Sequence, residues 1–65
     1  MNNNILSLDS GLYSGTNENG EPVIIQRQKG VGYTISKLQD NGWYEVHEYN
    51  EEGILEFTTY EKGGD

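Results

Sequence analysis

The sequence predicts an all-β domain: a single antiparallel meander of four to five strands, drawn into a curled sheet or a small barrel. Three observations carry this expectation. Turn signals recur at Asn19-Gly20, Lys29-Gly30-Val31-Gly32, Asp40-Asn41-Gly42 and Asn50-Glu51-Glu52-Gly53. Each supplies Gly, Asn or Asp where a hairpin needs unusual backbone angles, and a spacing of about ten residues is the all-β pattern. The segments between the turns are rich in Val, Ile, Tyr, Phe, Thr and Trp, which suit a pleated surface. No apolar repeat of helical period reaches a useful length, and alanine is absent.

The elements follow in order. Ile5, Leu6, Leu8, Leu12 and Tyr13 are interrupted by Asp9-Ser10-Gly11, so the first segment holds one short strand around 4–8 or around 11–15. Residues 16–21 form a polar turn. Pro22 opens a strand at 22–28, where its missing N–H does no harm. Further strands are expected at 33–39, 43–49 and 54–61. The whole chain, 1–65, is then one domain, with residues 1–4 and 62–65 expected to fray.

Turn arithmetic sets an expected register. If the turn at Asn50–Gly53 pairs Tyr49 with Ile54, Val46 falls opposite Phe57 and Trp43 opposite Tyr60. A turn of two or four residues at Asp40–Gly42 then groups Tyr33, Ile35, Tyr44, Val46, Leu55 and Phe57 on one face, the expected core. The other face carries Leu38, Trp43, Glu45, His47, Tyr49, Ile54, Glu56 and Tyr60. In the strand at 22–28, an even loop at Gly30-Val31 sends Ile24 to the core face; an odd loop reverses this. Either way the strand is apolar on both sides and calls for two covering layers. The N-terminal segment, closure into a barrel, or a partner could supply the second.

Composition narrows the function. A chain of 65 residues without cysteine has neither a disulfide nor a thiolate zinc site. A domain this small buries only about 60% of the surface its unfolded chain exposes. Seven aromatics are the available reinforcement: five Tyr, Trp43 and Phe57. The lack of cysteine and of a basic, apolar leader at Met1-Asn2-Asn3-Asn4 points to a cytoplasmic protein. The longest apolar run, Val23-Ile24-Ile25, is far short of a membrane span. Eleven acids against four bases give a formal charge of -7, which opposes direct binding to nucleic acid or to an anionic membrane.

No constellation names a reaction. His47 is the single histidine and, on the expected register, lies among Glu45, Tyr49 and Glu56. One imidazole and two carboxylates could in principle hold a metal or move a proton, yet a third strong ligand and an enclosing cavity are missing. There is no Gly-x-Ser-x-Gly, and Lys29-Gly30-Val31-Gly32 lacks the spacing of a phosphate loop. The expectation is therefore a protein without catalytic residues, cofactor or metal.

Charge layout is more informative. From Gln39 to Glu61 there are seven acids and no base, while Arg27, Lys29 and Lys37 lie one hairpin earlier. Neighbouring strands pair some of these charges. The remainder form an acidic, aromatic surface suited to a protein partner, with Trp and Tyr as anchors. The expected function is a non-catalytic interaction module. It binds a protein partner, or a second copy as a homodimer, through Trp43, Glu45, His47, Tyr49, Glu56 and Tyr60 or through an exposed strand edge. The partner is expected to be a basic, nucleic-acid-binding protein. The alternative is a phage-type inhibitor that mimics nucleic acid, its carboxylates blocking a nuclease, restriction or CRISPR protein.

Overall fold

The computed structural model describes residues 5–63. They form a short 3-10 turn, Ile5–Ser7, and five strands: β1 (Gly11–Thr16), β2 (Pro22–Gln28), β3 (Gly32–Leu38), β4 (Trp43–Asn50) and β5 (Leu55–Lys62). The strands lie in one antiparallel sheet in the order β1-β2-β3-β4-β5. This is the expected meander, and its order follows from short turns, which leave each strand beside its predecessor. The sheet is open: β1 and β5 are edges, and the curled or barrel-like closure is not adopted. Of the two alternatives for the N-terminal segment, 11–15 is the strand, while 5–7 winds into the 3-10 turn. Lys62 closes β5, and the Gly63 N–H donates to the Gly42 carbonyl at 3.0 Å. Residues 1–4, 64 and 65 lie outside the described residues.

Turn length decides which side chains share a face. In three of the four hairpins the same five-residue device recurs. Asn17, Gln39 and Asn50 each donate an N–H to the carbonyl four residues on, at 2.8–3.0 Å, and accept one from the glycine three residues on. Those glycines, Gly20, Gly42 and Gly53, have φ of 81°, 88° and 82°. This is a type I turn followed by a left-handed residue, a loop of three. Asparagine clamps it: Asn17 Oδ1 accepts the N–H groups of Asn19 and Glu21, and Asn50 Oδ1 those of Glu52 and Ile54.

Three is odd, and it overturns the expected faces. Leu38 pairs with Tyr44, Ser36 with Val46 and Ile35 with His47. Tyr33 and Ile35 therefore share a face with Trp43, Glu45, His47 and Tyr49, not with Tyr44 and Val46. The same shift moves Leu38 across to join Tyr44, Val46 and Phe57. The loop between β2 and β3 is also odd, pairing Gln28 with Gly32 and placing Val23, Ile25 and Arg27 with Tyr33. Between β4 and β5 the turn adds one residue to the expected register and a bulge at Glu56 adds another, so Val46 faces Thr59 and Trp43 faces Lys62. The bulge also sets Leu55 opposite Tyr49, on the Tyr33 face. Ile54 belongs to the turn.

One face, the Tyr33 face, is the better covered. Val23 and Tyr33 are buried there, and the Tyr33 and Tyr49 rings stack with centroids 4.7 Å apart and planes 14° off parallel. Arg27, only 3% exposed, crosses its end. Arg27 Nη2 donates to the Leu6 carbonyl at 2.9 Å, and Nη1 to those of Gly32 at 2.9 Å and Gln28 at 3.1 Å. Both nitrogens reach Glu51, whose Oε2 lies 2.8 Å from Nη1 and also accepts the Gly30 N–H. One side chain thus ties the 3-10 turn, the β2–β3 turn and the β4–β5 turn together. Ser10 and Asp9 hold the N-terminal segment further: Ser10 Oγ accepts the Lys29 N–H, and Asp9 pairs with the Lys29 ammonium at 3.2 Å.

The opposite face, the Val46 face, has no such cover. Val46 is buried among its neighbours, but Leu12, Ile24, Leu38 and Phe57 are exposed. The second layer that the doubly apolar β2 calls for is not supplied by residues 5–63.

Candidate functional site

The acidic, aromatic surface expected from the sequence is partly assembled. Trp43, Glu45, His47, Tyr49 and Tyr60 do share the Tyr33 face. Glu45 stands directly opposite Tyr60 on β5 and Lys37 on β3. His47 Nε2 lies 3.2 Å from Glu45 Oε2, and Nδ1 shares a hydrogen bond with Thr58 Oγ1 at 3.3 Å. Both ring nitrogens are thereby engaged by neighbours on the same sheet. Lys37 turns from Glu45 to Glu21, 3.3 Å away.

Two expected relations are not formed. Trp43 and Tyr60 are not opposed: Trp43 faces Lys62 and Tyr60 faces Glu45, because of the two-residue slip described above. Glu56 does not join His47; it sits at the bulge and accepts a hydrogen bond from Asn50 Nδ2 at 3.1 Å. Tyr49 spends its ring on Tyr33. Burial, and secondarily the Tyr33 phenol, pushes the Tyr49 hydroxyl above its ordinary value. Among the described residues no three His, Asp or Glu side chains gather as a metal site would require.

Nor do the seven acids share one surface. Glu45 lies on the Tyr33 face and Glu48 and Glu61 on the other, while Asp40, Glu51 and Glu52 occupy turns. Glu51 is already committed to Arg27. Its carboxyl is held below the usual range chiefly by the Arg27 hydrogen bond, which outweighs the desolvation cost, with the Gly30 N–H adding a smaller contribution. Glu21 is lowered as well, chiefly by the Asn17 amide and then by Lys37. Both groups bind a proton less readily folded than unfolded. Their stabilisation is present above the ordinary carboxyl value and is lost as pH falls through the lowered folded values. The urea midpoint is expected to drop between pH 6 and pH 3, and Glu51→Gln should flatten that slope. An unchanged slope would show that Glu51 does not carry it.

The feature that sequence reasoning left vague is the edge itself. All eight residues of β5 are exposed, with Phe57 at 61% and Tyr60 at 55%. The Gly63–Gly42 hydrogen bond fixes the alternation of the ladder. Phe57, Thr59 and Glu61 turn their backbone groups toward β4, so Thr58, Tyr60 and Lys62 turn theirs outward. An unpaired run of this kind is a template for a further strand. Its signal was the segment Leu55-Glu56-Phe57-Thr58-Thr59-Tyr60, β-rich and last in a meander. Arg27 was the more complete omission, since nothing in the chain links it to Glu51 at a distance of 24 residues.

No protein-family model, curated protein or solved structure matches this chain. Among the described residues, no helix is long and apolar enough to cross a membrane.

Proposed function

We propose that the chain is a non-catalytic protein-binding module that takes an extended, basic segment of a partner along β5. The observation that carries this reading is the free edge, exposed over its whole length with the backbone groups of Thr58, Tyr60 and Lys62 directed outward. Strand addition gains affinity from main-chain hydrogen bonds and specificity from alternate side chains. Here the alternate side chains of the added strand would lie beside Tyr60 and Glu45 on one face and beside Phe57 and Glu61 on the other. Aromatic and acidic groups on both sides favour a segment that alternates apolar and basic residues. Trp43, at the start of β4 and 42% exposed, extends the apolar part of that surface. His47 and Tyr49 serve the sheet more than the partner, since Glu45, Thr58 and Tyr33 already engage them. The division of the acids between two faces leaves a nucleic-acid mimic without the single stripe it needs.

Thr58→Pro tests the reading. Thr58 makes no ladder bond to β4 through its N–H, so proline removes an outward donor without removing one from the sheet. The variant is expected to keep the wild-type circular dichroism spectrum and lose at least tenfold in affinity for any protein that the wild type captures from its native host. Equal capture by both proteins would reject the edge as the site.

A further inference from the structure

The Val46 face offers a second, separate surface, and its charge pattern is unlike that of the rest of the molecule. Ser14, Ile24, Ser36, Val46 and Thr59 form its central row, each opposite the next across the sheet. Arg27 and Lys37, the charged residues of β2 and β3, both point to the other face, and β1 has none. Three adjacent strands of a chain with net charge -7 thus present no charge at all on this side. Among the described strands, the carboxylates on this side belong to β4 and β5, as Glu48 and Glu61. Leu12 is 72% exposed here and Ile24 46%. Ser14 and Ser36, on either side of Ile24, floor a hollow of about 240 Å³ walled by Pro22, Leu38 and Tyr44.

We infer that this face packs against the same face of a second copy, forming a two-layer β-sandwich. Two features of the molecule select that occupant. Two copies each carrying a charge of -7 repel one another wherever carboxylates meet, and a pairing centred on the uncharged strands β1 to β3 of this face avoids this. The protomer also needs a second layer. Among the described residues the buried apolar side chains number three, Val23, Tyr33 and Val46, and the chain has no cysteine to reinforce so thin a core. A two-fold axis running along β3 keeps the strands of both sheets aligned, as sandwiches require. It sets β4 and β5 of each copy over β2 and β1 of the other, so Glu48 and Glu61 meet no carboxylate. Five strands about 4.8 Å apart and about 20 Å long give roughly 500 Å² of face per copy. Roughly 1,000 Å² for the pair is at the low end for a specific interface, so a weak dimer, in the micromolar range or above, is expected. The acidic face and both β5 edges stay outside, so the dimer is independent of the edge reading and would make it divalent.

Sedimentation velocity of the full chain from about 1 to 500 μM is the test, a range chosen to bracket that affinity. The wild type is expected to pass from monomer to dimer. Ile24→Lys lowers the net charge and so relieves general repulsion, yet it buries an ammonium in the centre of the interface. It should weaken the dimer at least tenfold, and Leu38→Lys should do the same should Ile24→Lys fail to fold. Thr58→Pro should leave it within twofold. A monomer throughout overturns the inference and leaves the edge reading untouched. A dimer lost on Thr58→Pro but kept on Ile24→Lys also overturns it, because the copies would then pair through β5.

Discussion

Replacing Arg27 with methionine is expected to lower the thermal midpoint by on the order of 10 °C or more, a large shift for a domain of this size. Methionine keeps most of the stem volume, so the loss isolates the guanidinium. Three carbonyls lose a donor at once, Leu6, Gly32 and Gln28, of which Gln28 keeps the Val31 N–H. Glu51 fares better. Its side chain is 39% exposed and retains the Gly30 N–H, so water can replace the fork. The damage therefore comes from stranded carbonyls and a released 3-10 turn more than from a broken ion pair. Arg27→Lys separates the two. Lysine restores the charge but cannot fork between Glu51, Leu6 and Gly32 together, so it should recover less than half of the lost midpoint. Arg27 Nε is buried without a partner among the described residues, so its removal offsets part of that loss. Calorimetry of the three proteins decides the matter. A methionine variant that melts with the wild type would show that the 3-10 turn docks without Arg27.

Comparison of expected and observed strands shows which physics a sequence exposes. β2 was legible to the residue: Pro22 opens it, an apolar run fills it and Lys29-Gly30 ends it. The meander order was legible because every connection is short. Face assignment was not, since it depends on whether each loop holds an even or an odd number of residues. The signal was present. Asn17 and Asn50 each precede a glycine by three residues, the spacing of a three-residue loop whose first side chain clamps two N–H groups. Gln39 precedes Gly42 by the same three residues, and reading a three-residue loop there as well would have placed Tyr33 opposite Tyr49 and recovered the aromatic stack. The bulge at Glu56 carries no comparable mark, because it arises where the twist of an edge strand is relieved. Openness was equally hidden, since strand number and turn length do not fix curvature. Trp43, Glu45, His47 and Tyr60 were placed on a common face because both register shifts between β4 and β5 acted together and preserved parity.

Gly32→Ala is the substitution expected to be most damaging. Gly32 has φ of 146°, a region that side-chain-bearing residues rarely enter, and a Cβ there would drive into the Tyr49 carbonyl oxygen. The same Cβ would lie 2.9 Å from the Asn50 Cα and the Tyr49 carbonyl carbon. All three are backbone atoms, so no side chain can swing aside. Relief must come from spreading β3 from β4 at the point where Gly32 pairs with Asn50. Strain of this kind costs about 3 kcal/mol or more. A domain of this length has on the order of 3–10 kcal/mol in total, so the variant should be largely unfolded or only marginally stable. Gly30→Ala is the control. Its φ is 86°, and nothing lies within 4 Å of the added Cβ, so it should cost about 1 kcal/mol through backbone strain alone. Denaturant titration of both variants separates close approach from strain, and equal losses would contradict the argument. Gly32 is also coupled to Arg27 through its carbonyl. Once the strands have parted, Arg27 Nη1 has lost that acceptor, so combining Gly32→Ala with Arg27→Met should cost less than the sum of the two. Additive losses would mean that the guanidinium and the close approach at Gly32 stabilise this end of the sheet independently.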